Sequence, residues 1–176
     1  MATRAETQSA ALAESIIAAW RTNAGITASL VANVPADVWD VAVPTRRTAR
    51  SILAHFHNSR AWWLKTLGRE NGIPVPELVD VRAVTRTPLL RALKRSAGGI
   101  EALLRLGIDS GGQIPRTKAY VWRNLPLDVG HVLAYFVAHE SHHRGQIVLL
   151  ARQSGHRLPR AVVEDLWQFT WRPKRD

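Results

Sequence analysis

Apolar residues in this chain recur at intervals of three and four, in four long stretches bounded by proline and glycine. That periodicity limits the fold more than any other feature. A side chain three or four places along a helix returns to the same face, whereas a half-buried strand needs alternation. The first stretch runs from about Glu6 to Asn33, carries Leu12, Ile16, Ile17, Trp20, Ile26, Leu30 and Val31, and is ended by Pro35. The second opens after Pro44 with Thr45 or Thr48 as N-cap, continues through Ile52, Leu53, Phe56, Trp63, Leu64 and Leu67, and stops at Gly68. The third is expected to begin with Thr87 as cap and Pro88 in the first helical position, and to reach Gly107. Gly98-Gly99 marks a weak point or a point of close packing in it, and Gly145 hints at close packing in the next helix. A polar and aromatic loop, 109–125, leads to the fourth stretch, from Pro126 to Gly155, with Asp128 in its first turn. Pro159 then opens a short helix through Trp167. No segment alternates for long. The chain therefore reads as all-α, a four-helix bundle with a short C-terminal helix, forming one domain over residues 1–176.

Composition narrows the chemistry. With 46% apolar residues in 176, the chain can bury a core and disorder is not expected. It has no cysteine, which excludes disulfides, thiolate catalysis and cysteine-type zinc sites, so a metal would have to use His, Asp or Glu. No apolar run approaches the roughly 20 residues that span a bilayer. The opening "MATRAETQSAALAESIIAAW" is broken by Glu14 and does not read as a signal peptide, so a cytoplasmic location without membrane association is expected. The net charge is +10, but the arginines are spread along the chain and no basic block stands out. This reads first as a solvated basic surface. A basic nucleic-acid-binding helical domain stays as a secondary alternative, although no recognition-helix signature supports it.

The histidines are the informative residues. In "AHESHHRGQIVLL", residues 138–150, His139 and His143 share the apolar stripe of the fourth helix with Val132, Phe136, Ile147 and Leu150, while His131 and His142 lie on its flank. An i, i+4 pair places two imidazoles about 5–6 Å apart, close enough to share one metal ion. Two histidines stacked in one apolar stripe are hard to satisfy without a common partner. Gln146, one turn beyond His142, could orient a ligand. The second helix offers "ILAHFHNSRAWW", in which His55 and His57 flank Phe56 symmetrically, and helical geometry alone does not choose between them. One of the two added to His139 and His143 gives a three-histidine site with open positions, as catalytic metals require. Trp62, Trp63 and Tyr135 could wall an apolar pocket beside it.

Residues 139–143 also spell H-E-x-x-H, the pattern of zinc peptidases, in which Glu140 would be the general base. The metzincin extension fails, because Gln146 stands where a glycine belongs and Leu149 where a third histidine belongs. Glu164 could supply a ligand in another scheme. Such enzymes hold a peptide along an edge strand, and the sequence contains none. A metal-dependent hydrolase, peptidase or amidase, is the alternative reading. In the bundle, Glu140 would instead pack or pair with a basic residue across the core.

Together, "SILAHFHNSRAWWLK", "VAHESHHRGQIVLLARQSGHRLP" and the closing "DLWQF" resemble the DinB/YfiT-like metalloenzyme family, the H-x-x-x-H-R-G-Q segment being the specific part. The resemblance implies a four-helix bundle, often a homodimer, with zinc or nickel held by three histidines. Carried over, these are His55, His139 and His143, with His57 left as an extra. It also implies a small-molecule substrate and S-transferase or isomerase chemistry that uses a low-molecular-weight thiol such as mycothiol or bacillithiol.

Overall fold

The computed structural model describes residues 3–42, 47–121 and 124–167. Four long helices build it: α1 (Arg4–Asn33), α2 (Ala49–Trp63), α3 (Arg86–Asp109) and α4 (Val129–Gln153), followed by the short α5 (Arg160–Asp165). Among the described residues there is no strand, only isolated bridges between Ala42 and Thr48 and between Gln113 and Asp128. α1 and α2 each pack against both α3 and α4, and α3 also touches α4. The chain is an all-α bundle.

Capping chemistry sets the helix starts, and it moves several of them from where the apolar pattern begins. α1 starts two residues before Glu6, because Thr3 and Glu6 form a reciprocal capping box: the Glu6 carboxylate accepts from the Thr3 N–H at 2.6 Å. α2 is capped by Thr48 in the same way with Ser51; Thr45, the other candidate, lies outside the described residues. Thr85 stands at the N-cap position of α3 without a side-chain capping bond, so Thr87 and Pro88 are the helix's second and third residues and the expected Thr87 cap is displaced by two. Proline is tolerated there because N–H groups in the first turn have no intrahelical acceptor. Asp128 is the N-cap of α4, accepting from His131 N–H at 3.0 Å, and the helix begins three residues after Pro126. α5 ends at Asp165, before Trp167.

α2 does not run regularly to Gly68. Residues Leu64–Gly68 form a π turn and Arg69–Asn71 a 3-10 turn, and the chain leaves through Gly72 at φ 76°. The wider turn buries Leu64, Thr66 and Leu67 together. Gly99 of α3 faces it, where a Cβ would come within 2.5 Å of Leu64 Cδ1, so the Gly98-Gly99 step is a point of close packing at its second glycine only. Gly145 is exposed with nothing near it, which removes close packing as its explanation.

The core has two apolar halves. One gathers Leu30, Leu53, Phe56, Leu89, Leu93, Ile147 and their neighbours; the other gathers Ile17, Trp20, Leu64, Leu103, Val132 and Phe136. Between them α1, α2 and α4 insert Asn23, Thr27, Arg60, Glu140 and Arg144, all buried. A polar layer therefore crosses the bundle, and His55 and His139 lie beside it in sequence on α2 and α4.

Candidate metal centre

The face of α2 that carries His55 meets the face of α4 that carries His139 and His143. His55 Nε2 and His139 Nε2 are 3.1 Å apart. One nitrogen from each of the three histidines lies within 4.8 Å of the others, and all three rings are half-buried. His57, two residues from His55, points elsewhere. It is fully buried, and its Nε2 lies 2.8 Å from the Glu77 carbonyl oxygen, tying α2 to the extended segment after Gly72. The geometry brings His55, His139 and His143 together and leaves His57 out.

The ring environments favour neutral imidazoles. Burial, then His143, His139 and Arg47 nearby, push the His55 pKa down to about 4. Burial is also the main cause that lowers His139 and His143, followed for His139 by its neighbour His143; the Gln146 bond to His143 works the other way. Metal ligation needs the unprotonated ring, so these shifts reduce proton competition at neutral pH. Gln146 Oε1 lies 2.7 Å from His143 Nδ1. A carbonyl oxygen only accepts, so Nδ1 carries the hydrogen and Nε2 keeps its lone pair free. The Gln146 amide nitrogen lies 3.0 Å from His142 Nε2 and donates to it, which fixes its own orientation. His139 stacks on Tyr135 at 12° between ring planes, and its buried Nδ1 has no hydrogen-bond partner.

These residues fit a divalent ion. Three ring nitrogens at metal distances of about 2.0–2.1 Å around a tetrahedral centre stand about 3.4 Å from one another. Two half-buried Nε2 atoms facing each other at 3.1 Å need a hydrogen or a cation between them. A neutral three-imidazole set suits a first-row divalent metal and leaves positions open.

Glu140 has another role than the H-E-x-x-H pattern assigns it. It is fully buried and turned into the polar layer. Arg60 grips it with two bonds, Nε to Oε1 at 2.6 Å and one terminal nitrogen to Oε2 at 2.8 Å. Asn23 and Thr27 of α1 also donate to Oε2, at 2.9 and 2.7 Å. Arg144 donates to the side-chain oxygens of both Asn23 and Thr27 and comes within 3.7 Å of Glu140. A buried carboxylate that accepts four hydrogen bonds, two of them from a guanidinium, is a poor general base. Sequence reasoning missed Arg60, Arg144, Asn23 and Thr27. The available signal was Arg60 standing four residues from both Phe56 and Leu64, a charge inside an apolar stripe.

A cavity of about 500 Å³ opens from His55 and His139. Ser59, Trp62 and Thr66 continue its α2 side and Tyr135 its α4 side, with Trp63 between them; the Trp63 and Tyr135 rings are 5.1 Å apart. Trp62 is half-exposed at the rim beneath Lys65.

The model of the DinB family matches residues 113–172. That stretch contains α4 with His139, His143 and Gln146, and α5. Over these residues the chain is similar to the DinB family. The match does not reach α2, so His55 joins the DinB-like histidine pair through geometry alone. No curated protein and no solved structure matches the chain. No helix among the described residues is long and apolar enough to cross a membrane.

Proposed function

We propose that His55, His139 and His143 hold one divalent metal ion, zinc or nickel, and that the site transfers or isomerises a small substrate with the help of a low-molecular-weight thiol. The observation that supports this is the convergence of three neutral ring nitrogens at the end of a cavity large enough for a small molecule. A bound ion would supply an open position that lowers the pKa of an incoming thiol, so that the chain needs no cysteine of its own. The protein's own groups do the rest. Gln146 holds His143 in the tautomer that offers Nε2, and Tyr135 fixes the plane of His139. The aromatic walls exclude water from the thiol's partner, while the basic surface attracts anionic thiols.

Metal analysis of the purified protein tests the site. Near-stoichiometric zinc or nickel is expected in the wild type and in His57→Ala, with little in His55→Ala or in the His139→Ala, His143→Ala double variant. Full metal content in the double variant would refute it. A thiol-transfer screen with mycothiol and bacillithiol then tests the chemistry separately. The peptidase alternative finds no support in the Glu140 geometry, and no cleavage of a peptide library is expected.

A further inference from the structure

One glycine of α3 is left without a packing reason. Gly98 and Gly99 stand side by side in the helix interior, where glycine costs stability relative to alanine. Gly99 has its reason, because a Cβ there would run into Leu64. A Cβ on Gly98 would meet nothing within 4 Å. The space above Gly98 belongs to a groove of about 390 Å³, which shares no lining residue with the cavity beside the histidines among the described residues. Gly98, Gly99 and Ala102 form its floor, and the extended segment 73–76 forms the facing wall. Arg95, three residues before Gly98, also lines it.

The approach to this groove is cationic. From Val81 to Ile100 the chain holds no Asp or Glu. Arg91 stands one turn before Arg95, and Lys94 one turn before Gly98, on the same face of the helix. Arg91, Lys94 and Arg95 are exposed and enter no ion pair among the described residues. Against them stands Glu77, exposed just past Pro76. An apolar trough beside a net excess of cations suits a ligand with an apolar body and an anionic end. Pairing with an extended peptide is disfavoured, because Pro74 and Pro76 remove backbone donors from the wall. We infer that the groove binds a free single-chain carboxylate of the fatty-acid type. Its chain lies over Gly98, between α3 and residues 73–76, and its carboxylate meets the guanidinium forks of Arg95 and Arg91. A side chain at position 98 would occupy the place of the ligand's chain. The inference does not rest on the proposed function, since the groove lies apart from the metal centre.

Calorimetric titration of chelator-treated full-length protein with octanoate, octanol and acetate tests it, below the concentration at which octanoate forms micelles. Octanoate is expected to bind about 3–10-fold more tightly than octanol, the worth of one or two half-exposed charged bonds, and acetate to bind far more weakly than either. Raised salt should remove the advantage of octanoate. Gly98→Leu fills the floor with a good helix former, so it should keep or raise the thermal midpoint while weakening octanoate at least ~10-fold. The Arg91→Gln, Arg95→Gln double variant should bring octanoate down to the level of octanol and leave octanol unchanged. The His139→Ala, His143→Ala double variant should bind octanoate as the wild type does. Octanoate binding no tighter than that of octanol would overturn the inference, as would undiminished binding by Gly98→Leu. Loss of octanoate binding in the histidine variant would place the ligand in the other cavity and overturn it too. So would binding to anionic vesicles without binding of free octanoate, which would make this face a membrane contact instead.

Discussion

At the scale of single residues, the site is a set of imidazoles kept neutral and turned to face one another. Gln146 does the turning for His143. Outer partners of metal-ligating histidines typically govern affinity by 10–100-fold. Gln146→Leu is therefore expected to weaken zinc binding by roughly that factor in a chelator competition, with the fold intact; an unchanged affinity would show that the bond is idle. The same rings give the metal-free protein a pH signature. His55 has a folded pKa of about 4, below its ordinary value of 6.5, and His57, His139 and His143 are shifted the same way. As pH falls below 6.5 the unfolded chain takes up protons that the folded chain refuses, so stability is full above that value and declines towards pH 4. Urea midpoints of chelated protein should fall between pH 6.5 and 5, before carboxylates titrate, and His55→Asn should flatten part of that slope. A level wild-type profile in that window would contradict the assignment. The His139–His143 pair was legible because an i, i+4 spacing within an apolar stripe fixes what faces what. The choice of His55 over His57 was not, since both flank Phe56 and only the packing of α2 on α4 separates them.

At the scale of elements, the Arg60–Glu140 pair decides how α2 and α4 sit. Arg60 is five residues beyond His55 and Glu140 is next to His139, so the same two helices that meet at the histidines are clamped by a bidentate ion pair. Removing one partner strands a buried charge, at about 3–5 kcal/mol. Glu140→Gln should lose about that much in denaturant unfolding and, under conditions where it folds, should still bind metal. A peptidase base would behave oppositely, with stability kept and hydrolysis lost. A stability change under about 1 kcal/mol would mean the pair is not a clamp. Glycines give a second contrast. A Cβ on Gly107 would stand 2.5 Å from Val129 Cγ1 and 3.3 Å from the Ile114 backbone nitrogen, while one on Gly145 would meet nothing. Gly107→Ala is expected to lower the thermal midpoint, and Gly145→Ala to raise stability by up to about 1 kcal/mol. The reverse order would refute this packing. Periodicity located all four long helices, but their starts depend on which hydroxyl or carboxylate caps. Thr85, Thr87, Asp128 and Pro126 all carry start signals, and only the loop geometry chooses among them.

At the scale of the molecule, a metal ion held by His55, His139 and His143 would join two helices that are far apart in the chain. An ion bound to the folded state alone stabilises it by about 2.7 kcal/mol at a hundredfold excess over its dissociation constant. For a chain of this size each kcal/mol moves the midpoint by about 2–4 °C. Zinc added to chelated wild type should raise the thermal midpoint by several degrees and leave His143→Ala where it was. Equal shifts in both proteins would place the ion elsewhere. The sequence could not show the division of the core, because a polar layer is recognisable only when Asn23, Thr27, Arg60, Glu140 and Arg144, far apart in the chain, are seen at one level.

The π turn at Leu64–Gly68 also marks where chains of this kind can change length. A π turn holds one residue more than regular helical pitch requires. Lys65 lies in it with an exposed side chain. Losing that residue would tighten the turn and pass the offset into Arg69–Asn71 and the extended segment beyond, with His55, Ser59 and Arg60 undisturbed upstream. A deletion between His55 and Arg60 would instead rotate one against the other by about 100° and part the histidines from the ion pair that aligns them. Insertions and deletions in related chains are therefore expected to collect at this turn and to avoid the five residues before Arg60.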